Sequence, residues 1–81
     1  LMILTVKDVE YLGKYSVRCL FSDGVTKDVD LEPLLQYPAF AELRDLKQFI
    51  QFGLSGTLFW ANGADIAPEY LYDHGVIYKA A

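Results

Sequence analysis

Residues 15–30, YSVRCLFSDGVTKDVD, carry the clearest strand pattern of the chain, and the predicted fold is built on them. The first half of this stretch alternates between apolar and polar side chains, which predicts a half-buried strand over 15–21. The side chains predicted to face the core are Tyr15, Val17, Cys19 and Phe21, with Ser16 and Arg18 on the other face. Asp23-Gly24 then predicts a hairpin with a type I′ turn, because glycine adopts positive φ at little cost. Residues 25–29 return as the next strand, so Asp28 and Asp30 alternate with Lys27 and Val29.

The pattern extends in both directions from this hairpin. Residues 2–11 are rich in β-branched side chains and alternate in part, which predicts a preceding strand joined by a turn at 12–14. Downstream the apolar period becomes helical, with a short helical turn capped by Asp30, a second short helix over 39–46, and a last helix over 69–74 that ends at Gly75 in the left-handed conformation. Two further strands are predicted over 49–54 and 57–61, and 76–78 is either a tail or a short added strand.

These elements predict one α+β domain over residues 1–81, with a small antiparallel sheet and two or three short helices. The sheet is a three-stranded N-terminal meander plus two later strands. Eighty-one residues with an apolar fraction of 53% and a charged fraction of 22% have the composition of a globular chain and exclude a disordered one.

The net charge of −4 is spread evenly, since residues 1–40 hold four basic and six acidic groups and residues 41–81 hold three and five. Seven unclustered cations argue against nucleic-acid binding by this domain alone, whereas an acidic surface suits a small basic protein partner. No apolar run approaches 18 residues, so no membrane span is predicted. Cys19 is the sole cysteine and cannot form an intrachain disulfide, which favours a cytoplasmic location.

The residues that could carry chemistry do not form a catalytic set. Cys19 is predicted to be buried and His74 is the sole histidine, and no serine lies in a nucleophile elbow. The glycines at 53, 56 and 63 lack the ending of a phosphate loop, so no cofactor is predicted. The alternative is a metal or acid–base site, built from Asp65, Glu69, Asp73 and His74. We expect these residues to cap, or to be solvated, and we predict no enzymatic activity.

Aromatic side chains crowd the second half, and Phe59 and Trp60 are adjacent. On a strand they point to opposite faces, so one of them has to leave the main core. Because tyrosine and tryptophan favour interfaces, we predict a partner surface with Trp60 or Tyr70 as its aromatic anchor and an acidic rim. The predicted partner-binding residues are Trp60, Asn62, Asp65, Glu69 and Tyr70. The competing interpretation is that these residues only complete the fold.

Three stretches together resemble a known family: FSDG at 21–24, VDL at 29–31 and WANGADIAPEYLY at 60–72. They are similar to a small bacterial family of domains of unknown function. The resemblance implies an α+β fold with a small antiparallel sheet, and some members look like the antitoxin of a toxin–antitoxin gene pair. It implies no catalytic residue.

Two functions therefore stand side by side. One is a protein-binding module that acts as the antitoxin-like member of a two-gene pair. The alternative is a homo-oligomeric structural or regulatory domain without enzymatic activity, since the exposed strand edges of a small sheet invite pairing.

Overall fold

Two antiparallel sheets, two α-helices and two 3₁₀ helices make up the computed structural model, which describes residues 3–80. The larger sheet has the strand order β1-β2-β3-β6, and β4 and β5 form the smaller one. The strands are β1 Val6–Gly13, β2 Ser16–Phe21, β3 Thr26–Asp30, β4 Gly53–Leu54, β5 Leu58–Phe59 and β6 Val76–Ile77. The 3₁₀ helices are Glu32–Gln36 and Pro38–Arg44, and the α-helices are α1 Leu46–Phe49 and α2 Pro68–His74. The predicted α+β class is confirmed.

The predicted meander is present, with β2 antiparallel to both of its neighbours. Val17 lies opposite Val29 and Cys19 opposite Lys27, and the inward side chains of β2 are almost fully buried. The short strand β6 extends the sheet beyond β3, with Val76 opposite Asp28. Strand β1 begins at Val6 rather than at residue 2, and Met2 lies outside the described residues.

The hairpin between β2 and β3 is wider than the predicted type I′ turn. The Gly24 N–H donates to Phe21 O at 2.9 Å, and the Phe21 N–H donates to Val25 O at 2.8 Å, which closes a three-residue loop. Of these loop residues Gly24 alone has positive φ, at +87°, whereas a type I′ turn needs two such residues. The Asp23 carboxylate stabilises this wider loop by accepting a hydrogen bond from the Val25 N–H.

The middle of the chain departs most from the prediction, because Phe49 lies in a helix and not in a strand. The Asp45 carboxylate accepts from the Lys47 N–H and caps α1, which delivers the Phe49 ring into the core. The strand predicted over 49–54 therefore shrinks to Gly53–Leu54. Asp30 is not the N-cap residue of the first 3₁₀ helix, because Leu31 occupies that position. The Asp30 carboxylate instead accepts a hydrogen bond from the Glu32 N–H.

Gly75 ends α2 but does not adopt the predicted left-handed conformation. Its φ is −85° and its ψ is 157°, an extended backbone open to any residue. What favours glycine here is space: a Cβ would lie 2.7 Å from the Lys27 Cβ and 2.9 Å from the Leu71 carbonyl oxygen. The chain leaves α2 in close contact with β3, and this contact sets the start of β6.

The helices and the smaller sheet all pack against the same face of the large sheet. A single apolar cluster joins the inward residues of β2 and β3 to the buried side chains of the helices, with Phe49 at its aromatic centre. The Phe49 ring contacts the Tyr15 ring edge-on at 5.1 Å and the Trp60 ring at 5.8 Å. No helix or strand of residues 3–80 covers the opposite face of the large sheet.

Cys19 lies in this core, fully buried, and burial raises the pKa of its thiol to about 12. Because the thiolate is the reactive form, we expect a thiol reagent at mildly alkaline pH to label the native chain at least about 100-fold more slowly than the denatured chain. Stopped-flow labelling with and without urea measures this ratio. Equal rates would contradict the burial of Cys19.

Candidate functional site

Trp60, the first predicted anchor, is buried in the core with 4% of its surface exposed. Its indole N–H donates to Phe49 O at 2.8 Å, so the polar end of the ring is satisfied inside the protein. Phe59 is the member of the pair that leaves the core, with 41% exposed, and its ring lies against Gly53. The expectation that one of the two leaves the core is confirmed, and Trp60 is the one that stays in the core.

Of the other predicted partner residues, Asn62 lies beside Trp60 and lines a small pocket with it. Asn62 and Asp65 are exposed in the loop after β5, where the Asn62 side chain accepts from the Ala64 N–H at 3.0 Å. The sequence favours a turn capped by Asp65 or Asn62, and Asn62 supplies this cap. The Asp65 backbone forms an isolated antiparallel β-bridge with Phe59. Glu69 is exposed in the first turn of α2. Tyr70 is half-buried and belongs to a different surface, described next.

The open face of the large sheet carries charged and solvent-accessible side chains. Residues that lie opposite each other in the register share this face, as Glu10, Arg18 and Asp28 do. None of its side chains on the meander is buried. We define the open face by the meander residues Asp8, Glu10, Leu12, Ser16, Arg18, Leu20, Thr26, Asp28 and Asp30, with Val76 and Tyr78 beside them.

Arg18 is the one cation among these residues and holds the centre of the face. It forms a two-pronged pair with Asp28, with Nε–Oδ1 at 2.7 Å and Nη2–Oδ2 at 3.0 Å, and lies 3.9 Å from Glu10. Its guanidinium carbon lies 3.5 Å from the centroid of the Tyr78 ring. The hydrogen bond from Arg18 lowers the pKa of Asp28, and the same bond raises the pKa of Arg18. Both groups stay charged at neutral pH.

A groove of about 630 Å³ begins on the open face and crosses the edge of β3 to reach α2. It exists because β6 begins at Val76, opposite Asp28, so within residues 3–80 the outer edge of β3 is unpaired beyond Asp28. The groove is lined by acidic residues of β3, aromatic residues of α2 and apolar side chains of the adjoining strands. The lining residues that matter here are Leu12, Asp28, Asp30, Tyr70, His74 and Val76.

The aromatic side of the groove is a fixed pair. The Tyr70 and His74 rings stack with their centroids 3.9 Å apart and an angle of 21° between their planes. His74 Nδ1 lies 3.0 Å from the Tyr70 carbonyl oxygen, which holds the imidazole in place. Two residues four apart on one helix thus present one flat, preorganised surface.

Helix α2 is positioned by Tyr72, which ties it to the β2–β3 hairpin. The Tyr72 hydroxyl donates to Asp23 Oδ2 at 2.7 Å, and the Tyr72 ring meets the Phe21 ring edge-on at 4.9 Å. Lys27 Nζ donates to the Tyr72 carbonyl oxygen at 2.6 Å. Through these contacts the end of the stretch 60–72 packs against residues 21–24.

The Tyr72 hydroxyl is the main reason why the pKa of Asp23 lies below its usual range. We expect Tyr72→Phe to raise the pKa of Asp23 towards its ordinary value and to leave Asp28 unchanged, as carboxyl ¹³C NMR titration would show. A carboxyl pKa that is lower in the folded chain stabilises the fold at pH values above the ordinary pKa. This contribution is lost as the pH falls through the folded-state pKa. An unchanged Asp23 titration in the variant would contradict the contact.

Sequence reasoning missed Asp28, Asp30 and His74 as members of one site. The signal for the first two was present, since the alternation in residues 25–30 places both aspartates on the outward face of their strand. The approach of His74 depends on how α2 packs on β3, which no local pattern encodes. Of the five predicted partner residues, Tyr70 alone lines the groove.

Within residues 3–80, no three His, Cys, Asp or Glu side chains come close enough together to hold a metal ion. No helix of the described segment has the length and apolar character needed to cross a membrane.

Comparison with known proteins gives one match. A family model described as "Protein of unknown function (DUF2442)" matches residues 6–76, from the first residue of β1 to the first residue of β6. No curated protein matches the chain, and no solved structure does.

Proposed function

Because this chain belongs to the DUF2442 family, a family of unknown function, we propose a function from its surface: it is a protein-binding module whose open face receives a basic partner protein. The observation that carries the proposal is the open face itself. Four carboxylates surround a single guanidinium there, while the helices cover the other side of the sheet.

The face combines charge with exposed apolar area in the way that protein interfaces do. Leu12 and Leu20 are each 38% exposed and Val76 is 72% exposed, and they lie among the carboxylates. Apolar contacts with a polar rim are typical of specific interfaces, and an excess of negative charge accelerates the approach of a cationic partner. The open face offers both.

In this proposal the chain is the antitoxin-like member of a two-gene pair in the cytoplasm, and its partner is the small basic protein encoded beside it. The proposal assigns the chain no catalytic activity. Two placements support this lack of catalytic activity: Cys19 lies in the core, where its thiol is protonated, and His74 is stacked on Tyr70.

Co-expression with the neighbouring open reading frame tests the proposal through two variants that each remove three negative charges. The open-face variant combines Asp8→Asn, Glu10→Gln and Asp30→Asn. The matched control combines Glu42→Gln, Glu69→Gln and Asp73→Asn, all of which are exposed and lie outside the open face. We expect the open-face variant to lose the partner on purification while the control keeps it.

Loss in both variants would show that net charge alone drives the association. Loss of the partner in the control alone would place the binding site around Glu69 and would contradict binding at the open face. Circular dichroism of both variants verifies that the domain is folded.

A second function, homo-oligomerisation, is favoured by the exposed edge strand β6. Val76 and Ile77 are 72% and 59% exposed at the end of the sheet, and an unprotected apolar edge is a template for pairing with another strand. Light scattering of the purified chain distinguishes the two functions. A dimer that dissociates on Ile77→Lys would support the second, and a monomer at high concentration would exclude it.

A further inference from the structure

We propose that the groove between β3 and α2 binds the guanidinium of an arginine side chain from the partner, with Asp30 as its carboxylate and the Tyr70–His74 stack as its aromatic surface. The inference rests on the proposed function, because the arginine belongs to the basic protein partner.

The chain itself shows how this sheet holds a guanidinium. Arg18 lies between the Asp28 carboxylate, which it meets through two parallel hydrogen bonds, and the face of the Tyr78 ring. A planar fork of N–H donors suits a carboxylate, and the flat face of the group suits an aromatic ring. One carboxylate and one ring thus make the closest contacts with this arginine, and the Glu10 carboxylate lies farther away at 3.9 Å.

The groove repeats this arrangement one step along β3, with no cation of the described residues in it. Asp30 lies two residues beyond Asp28 on the same face of the strand, about 7 Å away along the chain. Its Oδ1 accepts from the Glu32 N–H, so the carboxylate is held in place while it remains exposed to the groove. Both ion pairs within residues 3–80 use Arg18, and neither involves Asp30.

The aromatic surface of the groove is preorganised. The stack of Tyr70 and His74 is fixed by the contact of His74 with a backbone carbonyl, so little side-chain freedom is lost when a ligand lies against it. Lysine carries the same charge but has no flat face to stack and cannot form the two-pronged contact. The geometry therefore selects arginine over lysine.

Charge complementarity supports a cationic occupant. The groove is lined by two carboxylates and no Lys or Arg side chain, and the nearest cation on the face, Arg18, is already paired with Asp28. An arginine in the groove would complete an alternating row of acidic and basic groups across the end of the sheet. Leu12 and Val76 supply apolar contacts for its methylene stem.

The test uses the short peptide acetyl-Gly-Arg-Gly-amide, with its lysine and citrulline counterparts, in ¹⁵N–¹H NMR titrations of the full chain. Citrulline has nearly the shape of arginine without the charge. We expect saturable shifts of the Asp30, His74 and Val76 amides with the arginine peptide, and binding at least about fivefold weaker with either counterpart.

Variants locate the contact. Asp30→Asn keeps the acceptor for the Glu32 N–H and should weaken arginine binding at least about fivefold, whereas Asp8→Asn removes the same charge at the far end of the face and should change it by less than about twofold. His74→Ala should weaken binding and His74→Phe, which restores a flat ring, should recover it. Spectra of the free variants verify that each remains folded.

Several outcomes would overturn the inference. Shifts centred on Asp8 and Leu20 would place the arginine elsewhere, equal binding of citrulline or lysine would exclude the proposed recognition, and absence of saturable shifts would exclude the site. The proposed function fails separately, in the co-expression experiment, if the open-face variant keeps its partner.

Discussion

Replacing Trp60 with alanine is expected to lower the free energy of unfolding by about 3–5 kcal/mol, which is a large part of the stability of a domain of this size. The indole fills the space between three other aromatic rings, with the Phe49, Phe40 and Phe52 centroids within 6.5 Å. Its removal also leaves the Phe49 carbonyl oxygen without its indole partner in the core. Urea denaturation followed by circular dichroism measures the loss.

The neighbouring residue is the matched control. Phe59→Ala removes an aromatic ring of similar size that is 41% exposed, and we expect it to cost about 1–2 kcal/mol. Similar losses at both positions would contradict the burial of Trp60. A folded Trp60→Ala that loses only partner binding would restore Trp60 as the anchor of an interface.

Replacing Gly75 with asparagine is expected to destabilise the chain by about 1–3 kcal/mol, because any Cβ at this position overlaps the Lys27 side chain and the Leu71 carbonyl. Asparagine distinguishes the two explanations for glycine here. A left-handed helix cap tolerates asparagine, whereas a position restricted by space does not.

Gly24→Asn is the control for Gly75→Asn. Gly24 has a φ of +87° and no atom within 4 Å of the position where a Cβ would be, so asparagine should cost little there. Thermal unfolding of both variants gives the comparison. A neutral Gly75→Asn together with a destabilised Gly24→Asn would reverse the assignment of the two glycines.

The N-terminal meander was predictable because its information is local. Alternation over residues 15–30 fixes which side chains face the core, and the register of β2 and β3 places Val17 and Val29 opposite each other as that alternation requires. The turn is wider than predicted, because the Asp23 carboxylate stabilises a longer loop, and β1 begins later, at Val6.

The second half was less predictable because its elements depend on distant contacts. Strand β4 has two residues and lies beside β1, where the Val6 N–H donates to the Gly56 carbonyl oxygen. The Asp45 cap starts the helix that contains Phe49. Trp60 packs against the rings of three phenylalanines, and its bond to the Phe49 carbonyl oxygen satisfies the buried indole N–H. Alternation of adjacent aromatics could show that one of them leaves the core, but not which one.

The candidate site was likewise predictable only where its information is local. The strand pattern predicts the outward placement of Asp28 and Asp30. The groove also requires that β6 begin at Val76 and that α2 pack with Tyr70 and His74 towards β3. Tyr70 was predicted as a partner residue for a different surface, and it is the packing of its helix that places it in the groove.

Site-specific photo-crosslinking in the native host tests the central claim, that the open face contacts a second protein. A benzophenone side chain is placed at Leu20, which lies on the open face, or at Gln51, which is exposed beside Trp60 and Asn62. The proposal predicts a cross-linked product from Leu20 that contains a basic protein of different sequence, and none from Gln51. A product from Gln51 alone, or a product from Leu20 that contains only a second copy of this chain, would contradict it.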